Sequence, residues 1–84
     1  MRNYNGRVKY YFIRVTNVNI FNALVKAAEH LSAEKGADFD ARRNGGFYEL
    51  VTASASFWHD LYLYGQMIVQ AQDEYIDGGE EQPA

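Results

Sequence analysis

The stretch SFWHDLYLYGQMIVQAQDEYID, Ser56–Asp77, decides how the rest of the chain is read. Its apolar residues Phe57, Leu61, Tyr64, Ile68, Ala71 and Tyr75 step by four or three, so on one helix they share a face. A second row, Trp58, Tyr62, Gly65, Val69 and Ile76, runs beside the first and widens the apolar arc to roughly half the circumference. His59, Gln66, Gln70, Asp73, Glu74 and Asp77 fall on the remaining, solvated side. The pattern predicts one long helix with Ser56 as N-cap and Gly78-Gly79 as its stop. Leu61 to Tyr64 also alternates, so a strand over 57–64 that ends at Gly65 is the competing reading. On the helical reading, Gly65 costs up to about 1 kcal/mol in propensity and implies close approach of another element.

Working outward, Phe47 to Ala53 reads as a strand paired with the alternating segment Ala37, Phe39, Ala41. Asn44-Gly45-Gly46 lies between them and supplies the positive φ angles of a tight hairpin. A Gly45-Gly46 loop sets Arg42 opposite Glu49, whereas an Asn44-Gly45 loop sets Asp40 there; charge pairing favours the first register. Upstream, Ile20, Leu24, Ala27 and Leu31 line one face of a helix over Ile20–Lys35, capped by Asn17 or Asn19 and stopped by Gly36. Arg7–Thr16 is dense in β-branched and aromatic residues. Both of its faces are apolar, as in a central strand covered by helices on one side and by something else, such as a second copy of the chain, on the other.

The expected fold is therefore α+β, in the order β-α-β-β-α, with two helices packed on one face of a three-stranded sheet. The first crossover, if its strands pair directly, is parallel and right-handed. Residues 1–84 form one small domain, with 1–6 and 78–84 expected to be flexible ends.

A chain of 84 residues buries only about 60–65% of the surface its unfolded state exposes, so stability is marginal. With no cysteine, neither disulfides nor thiolate metal sites supplement the core. No apolar run approaches the ~18 residues of a membrane span, and MRNYNGRVK lacks a signal peptide's apolar segment, so a cytoplasmic protein is expected. The net charge of −3 conceals a division at Arg43. Residues 1–43 hold all eight Lys and Arg against four acids, +4, and residues 44–84 hold seven acids and no base, −7. Such asymmetry steers a charged partner, or the halves neutralise one another within the fold.

Catalytic patterns are weak. His59-Asp60 diverge by about 100° on a helix, and His30 with His59 offers no third metal ligand. No metal, cofactor or catalytic residue is assigned, and a small enzyme ranks third, without a site. Arg42-Arg43-Asn44-Gly45-Gly46 has the glycines and charge of a phosphate cradle but not the helix start. It reads as a hairpin tip.

The favoured expectation is a non-catalytic protein-interaction module, dimeric, meeting a basic protein surface through Trp58, Tyr62, Val69, Asp73, Glu74, Ile76 and Asp77. The competing explanation of that row is packing on the first helix. Small, acidic, cysteine-free, aromatic-rich chains resemble in style the host-takeover and anti-defence inhibitors of phages and mobile elements, anti-CRISPR proteins included. That resemblance implies an inhibitor acting on nucleic-acid-binding machinery. The alternative is a single-stranded nucleic-acid reader using Arg7, Lys9, Tyr10, Phe12, Arg14, Arg42 and Arg43 on one sheet face.

Overall fold

One polar cap and one left-handed glycine set the limits of the first helix. The computed structural model describes residues 10–81. After strand β1 (Tyr10–Val15), the Asn17 side chain accepts hydrogen bonds from the N–H groups of Asn19 and Ile20 and starts α1 (Val18–Lys35). Gly36, at φ 68°, closes it. A hairpin follows, β2 (Asp40–Asn44) and β3 (Phe47–Thr52), turning at Gly45-Gly46 with Gly45 at φ 64°. Arg42 lies opposite Glu49, the register that charge pairing favoured.

The second helix, α2 (Ala55–Gln72), confirms helix over strand for residues 57–64. Its cap is Ser54 instead of Ser56, the Ser54 hydroxyl accepting from the Phe57 N–H. It stops before the expected Gly78-Gly79. Asp73 turns left-handed at φ 54°, and the Glu74 N–H donates to the Val69 carbonyl. The chain then forms β4 (Ile76–Glu81), so the sheet has four strands, not three, and the order is β-α-β-β-α-β. Residues 78–81, expected as a flexible end, belong to this strand; residues 1–6, and Arg7 and Lys9, lie outside the described residues.

The sheet order is β2-β3-β1-β4 and every pairing is antiparallel. This is the split β-α-β, or ferredoxin-like, arrangement. β1 is central as expected, yet β1 and β2 do not pair directly, because β3 lies between them. No described helix is long and apolar enough to cross a membrane.

Helix burial departs from the predicted stripe. Phe57, Leu61, Gly65 and Val69 are the buried line of α2, while Tyr64 and Ala71 face outward. They pack with Ile13, Val15, Ile20, Leu24, Ala28 and Leu50 to form the core between helices and sheet. A four-residue step drifts slowly around a 3.6-residue helix, so the buried line crosses from one predicted row to the other. Gly65 is the point of close approach: a Cβ there would lie 2.7 Å from Ile76 Cδ1 and 3.1 Å from Leu24 Cδ2.

β4 is a strand by packing, not by propensity, since Ile-Asp-Gly-Gly-Glu-Glu is poor in strand formers. Gly78 is required where it stands: the Tyr62 ring lies on it, and an added Cβ would sit 2.6 Å from Tyr62 Cε1. Gly78→Ala is expected to cost about 1–3 kcal/mol by forcing this ring aside. Gly46→Ala, where nothing lies within 4 Å, is the control. Urea denaturation of both variants checks this, and equal stabilities would refute the packing role.

Candidate interaction surfaces

Strand parity sorts the sheet residues onto two faces. Tyr11, Ile13 and Val15 of β1, with Tyr48, Leu50 and Thr52 of β3, turn toward the helices. Tyr10, Phe12 and Arg14, with Phe47, Glu49 and Val51, turn the other way, where no described helix packs. Asp40, Arg42 and Asn44 of β2 and Asp77 and Gly79 of β4 complete that uncovered face.

Across its middle runs a row of alternating charge, Arg42, Glu49, Arg14 and Asp77, one residue from each strand in register. The Glu49 side chain is 0% exposed. It accepts from Arg14 Nε at 2.5 Å and from Arg42 Nε at 2.9 Å, one arginine on each oxygen. Burial works to raise its pKa, but the hydrogen bonds and charges of Arg14 and Arg42 outweigh it and hold the carboxyl below its ordinary 4.5. The Arg14 guanidinium also lies 4.2 Å from the centre of the Phe12 ring. The next row is Asp40, Val51, Phe12 and Gly79. Beyond the charged row, Phe47 and Tyr75 bring their rings within 6.4 Å, and both are more than a third exposed.

Of the residues expected to read nucleic acid, this face collects Tyr10, Phe12, Arg14 and Arg42. Arg43 is on the opposite face, its guanidinium 5.5 Å from the Tyr48 ring centre. The residues expected to hold a protein partner are dispersed. Val69 is buried and Ile76 packs against the core. Trp58 is half-buried, donating its indole N–H to the Phe12 carbonyl at 2.8 Å, with rings of Tyr11 and Tyr62 within 5.6 and 5.3 Å. Tyr62 is half-buried against Gly78. Asp73 and Glu74 are exposed in the turn after α2, while Asp77 belongs to the uncovered sheet face. Trp58 and Tyr62 of the row therefore pack on β1 and β4, while Gly65 of the same row meets Leu24 of the first helix.

Two features were not singled out from the residues. Glu49 as the centre of a clamp was legible only as a hairpin partner of Arg42, since Arg14 reaches it across 35 residues of chain. Leu63, Tyr64 and Met67, at 49%, 40% and 68% exposure, form an apolar patch on the outer side of α2. The Leu63 to Met67 spacing of four was its signal. Between the helices, Lys26, His30, Asp60 and Tyr64 line a shallow groove, beside which Lys35 pairs with Asp60 at 3.2 Å. Among the described residues no group of three or more His, Cys, Asp or Glu is placed to hold a metal ion.

No protein-family model and no curated protein matches the chain. Solved structures do resemble it in shape. The de novo designed protein Foldit4 is 10% identical, with a TM-score of 0.46, over 90% of this chain and 96% of that one. A PII-like signaling protein from Thermus thermophilus is 18% identical, also at 0.46, over 89% and 84%. The de novo designed protein Ferredog-Diesel is 10% identical over 94% of this chain and 90% of that one, at a TM-score of 0.51, a likeness of fold alone.

Proposed function

We propose that this small α+β domain is a non-catalytic protein-interaction module that binds through the uncovered face of its sheet. One observation carries the reading: large rings, Tyr10, Phe47 and Tyr75, stand partly exposed around a charged row whose buried carboxylate is already neutralised. Aromatic residues and arginine are the types enriched where proteins meet. A face with its central charge satisfied can lose water without stranding an ion.

The rival, a reader of single-stranded nucleic acid, needs Arg14 and Arg42 for phosphate, yet Glu49 engages both and Asp40 and Asp77 add negative charge. A labelled oligonucleotide titrated at low salt is expected not to bind; binding that weakens as salt rises would favour the rival. Phe47→Ser with Tyr75→Ser tests the favoured reading. The doubly substituted protein should lose association, with itself or another protein, that the wild type shows when immobilised. Identical sets of retained proteins would reject it.

A second reading is favoured by a separate feature, the exposed acids Asp73, Glu74 and Glu80 along the α2 and β4 edge. They would suit a small acidic inhibitor, of the phage or mobile-element anti-defence kind, that engages a basic surface of nucleic-acid-binding machinery. Alanine at Asp73, Glu74 and Asp77 should then weaken capture of a basic partner. Unchanged capture removes this reading.

A further inference from the structure

We infer that the occupant of the uncovered sheet face is a second copy of this chain, related by a two-fold axis lying in the interface parallel to the strands. The inference rests on the reading of that face as an interaction surface, and its basis is the order of charges. Across the four strands the row runs plus, minus, plus, minus: Arg42, Glu49, Arg14, Asp77. A two-fold axis parallel to the strands reverses this order in the second copy. Arg42 then meets Asp77 of the second copy twice, as an isologous interface requires, and the Glu49–Arg14 pair of each copy lies against that of the other, its carboxylate already enclosed. An axis perpendicular to the strands would instead set each charge against its own copy, and like charges face to face repel.

The neighbouring row obeys the same operation. Asp40, Val51, Phe12 and Gly79 reversed bring Val51 against Phe12 of the second copy, an apolar contact beside the charges. Asp40 then faces a glycine, with room for its carboxylate. The strand axes of the two sheets are parallel, each strand facing one that runs the opposite way, in the aligned packing of a β-sandwich. Four strands about 4.8 Å apart and about five residues long give a face of roughly 19 by 17 Å. That is small beside the ~800 Å² per partner of standard interfaces, so the dimer is expected to dissociate on dilution.

The test uses charge reversal in the full chain. The wild type should show twice the chain's mass by light scattering at high concentration and lose it on dilution. Asp77→Arg sets Arg against Arg42 twice, and Arg42→Glu sets Glu against Asp77 twice, so each variant alone should be monomeric. An equimolar mixture regains complementarity at both positions and should dimerise. Circular dichroism establishes that each variant is folded, because Arg42→Glu also removes one cation from Glu49.

A second measurement does not depend on reversal. The chain has no cysteine, so Arg42→Cys and Asp77→Cys introduce single thiols. A short bifunctional thiol reagent should join the two variants in a mixture and join neither to itself. A wild type that stays monomeric at every concentration overturns the second copy; face-dependent association with another protein would still stand as a separate result. A dimeric Asp77→Arg, a mixture that fails to re-associate, or crosslinking of either cysteine variant to itself overturns the axis.

Discussion

Replacing both Arg14 and Arg42 by alanine is expected to destabilise the protein by about 3 kcal/mol at neutral pH, the low end of the cost of stranding a buried charge. The Glu49 carboxylate, with no solvent exposure, loses its two guanidinium partners at once. The low end applies because truncating two long side chains also admits water. For a domain of this length, total stability is only about 4–13 kcal/mol, so the loss is large.

The sign of the pH dependence separates this cause from lost packing. In the wild type the Glu49 pKa is depressed below 4.5, so its contribution is complete above that value and is lost as the pH falls through the lower, folded value. In the double variant burial alone acts and raises the pKa. The cost is then greatest at neutral pH and disappears as the pH falls from the raised value toward the ordinary one. In denaturant titrations from neutral pH down to about 4.5 the Glu49 contribution should be flat in the wild type, whereas the double variant should gain stability relative to it; below that value only the wild type loses this contribution. Adding Glu49→Gln to the double variant should recover much of the loss, since a neutral amide costs less to bury than an unpaired charge. A double variant within about 1 kcal/mol of wild type, with the same pH slope, would refute the clamp.

Phe57→Ala should cost about 3–5 kcal/mol, the range for removing a fully buried aromatic ring. Phe57 is 0% exposed, its ring stacks 5.7 Å from Phe39, and it stands in the first turn of α2. Its loss therefore loosens the helix start and the segment entering β2 together. At about 4–8 °C per kcal/mol for a domain of this size, the melting temperature should fall by more than about 12 °C. Phe57→Leu keeps most of the volume and should lose much less. Thermal melts of the pair distinguish a packing keystone from a tolerant site, and equal melting temperatures would contradict the core assignment.

The two predictions sample parts of the fold that were unequally legible. Phe57 and Leu61 belonged to a helical stripe visible in the residues, and both are buried. The stripe misled at Tyr64 and Ala71, which face outward, and at its end, because Tyr75 and Ile76 keep helical phase although Asp73 has already turned the chain out of the helix. The expected interaction row is divided for the same reason: with β4 in the sheet, Ile76 packs on the core and Asp77 passes to the other face. Arg42 opposite Glu49 was readable from a two-residue turn, whereas Arg14 on the same carboxylate was not.

Local chemistry by itself determined the helix spans to within a few residues, the hairpin and its register, the centrality of β1, and the division of charge at Arg43. Asparagine caps, left-handed glycines and side-chain periodicity act over a handful of neighbours, so they are written where they operate. Only the tertiary structure decided that Ile76–Glu81 is a strand, which sheet face no described helix covers, and that four charges from four strands form one alternating row. A strand rich in glycine and acid forms because β1 offers a free edge and Tyr62 needs a surface without Cβ atoms, and both conditions are set by residues distant in the chain.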